Sequence, residues 1–179
     1  TNRNTDGHSN GGYEMNKIDT LIEDVYEVLA SSTAAQGVDV DNIIDEFGES
    51  MKAILRDNVL KVHEDKRTLR MSNIGRKDRF LWYVDKGMSK EKMTPNTLMK
   101  FLYGHATEEL VLALVKLSGH KVTHQQAKAE VNGIKGSMDC MIDDILIDVK
   151  TAVPFGVKKF KEGGLRWNGP FGYIDQLRG

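Results

Sequence analysis

A chain of 179 residues suffices for one domain with a sizeable core, and its 40% hydrophobic and 28% charged content is that of an ordinary globular protein. No apolar run nears the roughly 20 residues that span a bilayer, and the start lacks the basic-then-apolar order of a secretory signal, so the expectation is a cytoplasmic protein with no membrane partner. The single cysteine, Cys140, excludes an internal disulfide and any multi-cysteine zinc or iron–sulfur site, which leaves oxygen or imidazole to hold a metal.

A net charge of -1 hides a segregated distribution. Residues 1–60 carry 4 basic and 12 acidic groups, and residues 61–100 carry 11 and 5. Residues 101–157 carry 5 and 7, and residues 158–179 carry 5 and 2. Two basic segments therefore flank an acidic one, as expected if a polyanion passes an acidic, metal-loaded centre. Solvated helix faces give the same pattern without any such partner.

In chain order, the polar, glycine-rich residues 1–13 read as a disordered tail. Residues 14–93 then read as a helical region and residues 94–179 as the core. Ile18, Leu21, Ile22, Val25 and Leu29 fall at helical spacing, and after "SSTAAQG" Asp41 is placed to cap a second helix carrying Ile44, Phe47, Met51 and Leu55. "MSNIGRKDRFLWYVDKG" predicts a third helix, capped by Ser72, basic in its first turn and ended by Gly87. Arg76 and Lys77 there suit phosphate contacts or simply an exposed face; Trp82 and Tyr83 are expected in the core. Thr94 before Pro95 is a strong helix start, because the threonine caps orphan amides and the proline fixes φ. That helix, or helix pair, runs to Gly119. Three strands are expected next, in "KVTHQQA", "IKGSMDCMI" and "DILIDVKTA". Pro154 ends the last, and the basic run "GVKKFKEGG", with Lys158 and Lys159, follows.

The last two strands carry the chemistry. A hairpin turning at Asp143-Asp144 pairs Ile142 with Ile145, Met141 with Leu146 and Cys140 with Ile147, which sets Asp139 opposite Asp148. Facing carboxylates repel unless a cation lies between them. Lys150, one pleat further on the same face, is one candidate and a divalent metal is the other. Glu108 shares a helix face with Val111, Leu112 and Val115, so it is chosen over Glu109 as a third carboxylate. Such a set suits Mg²⁺ or Mn²⁺, hard ions that take oxygen ligands and leave places for water and phosphate. Lys150 could orient the attacking water or stabilise the developing charge.

These residues resemble the PD-(D/E)XK nuclease superfamily, and within it the RecB-like and phage-type exonucleases. "YGHATEELV" is similar to the glutamate helix, "GSMD" to the first metal aspartate, "DVK" to the acid-x-lysine triplet and "YIDQ" to the glutamine of the following helix. "LRMSNIGRKDRFLWY" is similar to the upstream motif that sets a serine and a basic residue near DNA. The resemblance implies an α+β fold with a restriction-endonuclease-like core, a mixed β-sheet flanked by helices, and an N-terminal helical region. It implies Glu108, Asp139 and Asp148 as metal ligands with the Val149 carbonyl, Lys150 as the catalytic lysine, and Gln176 at the site edge. His105 resembles an extra ligand of some members at a different spacing; a structural role is the other reading. Ser72, Arg76, Lys77, Lys158 and Lys159 become DNA contacts. The implied function is Mg²⁺- or Mn²⁺-dependent DNA exonuclease activity in phage-type replication or recombination, in a bacterial or phage-infected cytoplasm. DNA, a second copy of the chain and a recombination protein are the implied partners. An endonuclease of the same fold and a non-catalytic DNA-binding module are the alternatives. Met138 stands where the namesake proline is usual, and the sequence stops at Gly179, short of the tyrosine that the branch carries after its glutamine. The expectation is therefore a core cut short at its C-terminal end.

Overall fold

The computed structural model describes residues 18–60, 69–87 and 93–152, together with Val157, Lys158 and Lys161. A short 3₁₀ turn, Ile18–Thr20, opens onto α1 (Leu21–Ser31), which ends where Ser32 turns left-handed. Helix α2 (Val40–Leu55) is capped by Asp39, whose side chain accepts the Asn42 N–H at 3.1 Å. The expected cap, Asp41, lies instead inside the first turn: the helix begins two residues earlier, and the side chain that caps it belongs to the residue just ahead of its first turn. A π-turn, Arg56–Leu60, follows directly.

The third helix is shorter than its pattern predicts. Met71–Asn73 form a 3₁₀ turn, and α3 begins only at Asp78 and runs to Asp85, with Gly87 at φ +67 closing it. Ser72 is therefore inside the turn and caps no helix; Gly75, at φ +77, breaks the run between them. Trp82 is 55% exposed, against its expected place in the core, while Tyr83 is half-buried and meets it edge-on. Helix α4 (Pro95–Leu117) starts as its sequence demands, with the Thr94 hydroxyl accepting the Thr97 N–H at 3.3 Å and Pro95 in the first turn. It is one helix throughout, ended by Gly119 at φ +87.

Five short strands follow: β1 (Val122–Thr123), β2 (Lys128–Val131), β3 (Ile134–Ser137), β4 (Cys140–Ile142) and β5 (Ile145–Ile147). They make a three-stranded sheet in the order β1-β4-β5 and a separate two-stranded ribbon of β2 and β3. Every ladder among the described residues is antiparallel, with one isolated parallel bridge between Arg70 and Lys135. Among the described residues that arrangement differs from the expected mixed sheet, because two-residue turns join β2 to β3 and β4 to β5, and a tight turn can only return the chain antiparallel. The molecule is α+β.

"IKGSMDCMI" is not one strand. It parts at Met138-Asp139 into β3 and β4, which belong to different sheets. The Met138 N–H goes to the Ala127 carbonyl and the Asp139 carbonyl accepts the Gln126 N–H, so these backbone groups close the base of the ribbon. "KVTHQQA" yields only β1, since His124 and Gln126 take φ +55 and +51, outside any strand conformation.

The core lies where α4 meets the inner face of the three-stranded sheet. Leu112 and Val115 pack against Cys140 and Ile142, with Val25 of α1, Val122, Ile147 and Val149 around them. Each large apolar side chain buried there contributes about 1.5–3 kcal/mol. Helices α1 and α2 also pack on α4, so one helix organises both the bundle and the sheet. No helix among the described residues is long and apolar enough to cross a membrane.

Candidate active site

The β4–β5 turn sets the site. Asp143 and Asp144 take φ +49 and +64, the two left-handed positions of a type I′ turn, whose twist matches that of the flanking strands. Asp143 is held from outside the hairpin as well. Its carboxylate accepts the Lys121 N–H at 3.0 Å and meets Nδ1 of His120 at 2.5 Å, while His120 Nε2 meets Asp24 of α1 at 3.1 Å. His120 is 3% exposed, so this is a buried clamp between α1, the end of α4 and the turn. A turn so fixed permits a single register, and the pairs are Ile142 with Ile145, Met141 with Leu146 and Cys140 with Ile147. One step beyond the ladder, Asp139 and Asp148 face each other.

The Asp139 side chain is 19% exposed against 43% for Asp148. Burial pushes the Asp139 carboxyl above the usual range, and the Asp148 carboxyl beside it adds to that. Two groups oppose the rise: the Val149 N–H, donated to Asp139 Oδ2 at 2.9 Å, and the Lys150 ammonium, 3.8 Å from the same oxygen. Lys150 also pairs directly with Asp148. The lysine thus reaches both aspartates, although the expected strand "DILIDVKTA" is regular only over β5 and both Asp148 and Lys150 lie past its end.

Glu108 approaches from α4. Burial raises its carboxyl first and the Asp139 charge raises it further, while a 2.7 Å hydrogen bond from the Gln126 side-chain amide acts in the opposite sense. Glu109 points elsewhere: it lines a cleft of about 850 Å³ between α2 and α4, together with Asn42, Glu46, Lys116 and Gln125. Of the two glutamates, Glu108 is the one hydrogen-bonded to Gln126, which itself donates to the Asp139 carbonyl. Cys140, buried behind the centre, has its thiol pushed up to about 11 by burial and then by Asp139, Glu108 and Asp148, so it remains neutral and packs as an apolar group.

The remaining site expectations divide. Asp139, Asp148 and Lys150 come together with Glu108 nearby, and the Val149 backbone meets Asp139 through its N–H, whereas the expectation was for its carbonyl. Gln176 and Lys159 lie outside the described residues. Ser72, Arg76 and Lys77 sit on the turn and loop before α3, where Met71 packs against Gly136 of β3. Arg76 lies over the Phe80 ring at 5.6 Å and Arg79 over Tyr83 at 5.8 Å. Lys158 is exposed, and so is His105 on α4. Sequence reasoning missed Gln126, which no motif marks, and the His120 clamp.

Whether the residues suit a divalent ion can be judged from their chemistry. Among the described residues no three His, Cys, Asp or Glu side chains stand close enough to hold a metal as they are. Two aspartates do lie side by side, and Mg²⁺ ordinarily uses only one or two carboxylates. Three carboxylates and one ammonium leave two negative charges uncompensated, the charge of a single such ion. The Asp139–Asp148 pair therefore fits, with Glu108 close enough to Asp139 to feel its charge. No family model matches this chain, and no curated protein or solved structure matches it either.

Proposed function

We propose that the chain is a Mg²⁺- or Mn²⁺-dependent deoxyribonuclease with a restriction-endonuclease-like core, acting as an exonuclease in phage-type DNA replication or recombination. The observation that carries this reading is the opposition of Asp139 and Asp148 at the open end of a rigid hairpin, with Lys150 between them. Facing aspartates destabilise a sheet by repulsion, and a purely structural hairpin gains nothing by keeping them.

Asp139, Asp148 and the Val149 carbonyl would hold the ion, with Glu108 joining from α4. When bound, the ion would acidify a water and offset the charge that grows on a phosphodiester. The chain's own residues do the rest. The Val149 N–H keeps Asp139 in a single orientation. Lys150, released from Asp148 once the carboxylates have another cation, can hold the attacking water or stabilise the non-bridging oxygens of the phosphate. Arg76, Lys77, Lys158 and the basic segments around them would bind the DNA backbone, weakening steeply with salt.

Degradation of end-labelled linear DNA beside closed circular DNA, with Mg²⁺, Mn²⁺ or chelator, tests the proposal on this chain and on Lys150→Ala. Metal-dependent loss of linear DNA alone, absent in the variant, supports an exonuclease. Cutting of the circle points to an endonuclease of the same fold. DNA binding without any turnover in either metal would falsify the catalytic reading and leave a DNA-binding module.

A further inference from the structure

We infer that Gln126 is a positioning residue for the acidic centre, holding the Glu108 carboxylate beside Asp139. This rests on the metal-dependent nuclease reading and adds to it a residue outside the metal ligands and the lysine. Gln126 touches both carboxylate-bearing elements at once. Its side-chain amide donates to Glu108 Oε1 at 2.7 Å, and its own backbone N–H donates to the Asp139 carbonyl at 2.9 Å. One residue therefore ties the glutamate of α4 to the junction of β3 and β4.

The backbone is bent to make this possible. His124 and Gln126 both take left-handed φ values that residues with a Cβ avoid, two positions apart in one short loop. Such conformations persist where surrounding contacts over-determine them, and they gather at functional sites. The neighbouring Gln125 provides an internal comparison. Its side-chain carbonyl accepts Lys116 Nζ at 2.7 Å, on the face of α4 that looks into the α2–α4 cleft. Two consecutive glutamines thus staple the same loop to the same helix, but only Gln126 reaches the acidic centre. A partner that fixes a ligating carboxylate through its second oxygen typically changes metal affinity by tenfold or more when removed.

The experiment compares wild type, Gln126→Met and Gln125→Met, each checked for folding by its urea midpoint, with Mn²⁺ binding measured by calorimetry. Methionine keeps the length of glutamine and removes its donors and acceptor. The expected result is an Mn²⁺ dissociation constant raised about tenfold in Gln126→Met at an unchanged midpoint, with Gln125→Met binding as wild type does. In a Glu108→Gln background, Gln126→Met should change Mn²⁺ binding no further, because it acts through the glutamate. Unaltered Mn²⁺ affinity in Gln126→Met overturns the inference. So does an equal loss in both single variants, which would mean that loop docking alone matters. A wild-type chain that binds no Mn²⁺ removes the nuclease reading and the inference with it, a failure visible in the wild-type curve rather than in the variant.

Discussion

Replacing Asp148 with asparagine should stabilise the metal-free chain while abolishing its response to metal. Directly opposed residues have Cβ atoms about 5 Å apart. Two unit charges at that separation repel by roughly 3 kcal/mol at an effective dielectric of 20 and by under 1 kcal/mol in water. Asp148 is 43% exposed, which favours the lower figure, and Lys150 already offsets part of it. The ion pair lost with Lys150 is equally exposed and contributes about 0–1 kcal/mol. A net gain of at most about 0.8 kcal/mol remains, or up to about 3 °C in Tm for a chain of this length. The pH dependence gives the sharper readout. Because Asp139 and Glu108 have raised carboxyl pKa values, the folded chain binds their protons more tightly than the unfolded chain. Their contribution to stability is therefore best in acid and falls as the pH rises from the ordinary carboxylate range through the raised values, with a slope of at most about 1.4 kcal/mol per pH unit per proton. Glu46, lowered chiefly by its hydrogen bond from Lys116, acts in the opposite sense, losing stability in acid. The wild-type-minus-variant difference removes that shared background. Urea midpoints between pH 4 and pH 8 in chelator should show the two chains converging in acid and Asp148→Asn ahead at neutral pH. Adding about 10 mM Mg²⁺ at a dissociation constant near 1 mM should return about 1.4 kcal/mol to wild type alone. A variant less stable than wild type in chelator at neutral pH, or one stabilised equally by Mg²⁺, would refute the electrostatic account of the pair.

Three further substitutions test other parts of the structure. Lys150→Ala should lower cleavage by about 10²–10³-fold while leaving DNA affinity in Ca²⁺ within a few-fold, since it removes charge stabilisation and not the bulk of the phosphate contacts; cleavage within threefold of wild type would remove the lysine from the mechanism. His120→Ala leaves Asp24 and Asp143 without the imidazole that joins them and should cost about 2–3 kcal/mol in urea unfolding, whereas a loss under 0.5 kcal/mol would mean that the clamp is immaterial. Gly136→Ala would bring a new Cβ to 2.8 Å from Cβ and Cγ of Met71, too close without movement. The turn at Met71–Asn73 should detach from β3 at about 1–3 kcal/mol, read as faster amide exchange over 70–76; unchanged exchange would place Met71 elsewhere.

The parts of the fold legible in the sequence are those where a local rule has no competitor. Thr94-Pro95 starts α4 because cap and proline act on the same turn, and Gly87 and Gly119 end helices because only glycine enters the left-handed region freely. Where tertiary contacts compete, the pattern misleads. The run "IKGSMDCMI" has the composition of one strand, yet its middle belongs to a junction whose backbone partners, Gln126 and Ala127, lie in a loop without periodicity. The ribbon of β2 and β3 was passed over in the sequence although it carries a signal: Asn132-Gly133, at φ +52 and +78, is a type I′ turn, the strongest short hairpin signal. Its alternation is weak, because Lys128 and Glu130 are opposed by Ser137 and Lys135 on one face and Ala129 faces Gly136 on the other.

The acidic centre was legible for a different reason: its geometry follows from parity alone. Once Asp143-Asp144 turns the chain in two residues, every earlier position has one partner, and Asp139 can face only Asp148. The period of two along β5 and the residues after it then puts Lys150 on the same side as Asp148 and turns Val149 inward, where its N–H reaches Asp139. Helical periodicity supplies Glu108 in the same way, by excluding Glu109 to the α2 side. What periodicity cannot supply is anything contributed by irregular backbone. Gln126 reaches Glu108 only because two residues adopt positive φ, and a polar loop of sequence "THQQA" gives no warning of that. On the proposed reading, the register-determined residues are those that would meet the ion or the phosphate, and the loop-determined residue is the one that would aim them. A substitution screen guided by motif alone would find the first group and pass over Gln126, whose removal should alter metal affinity without altering the motif.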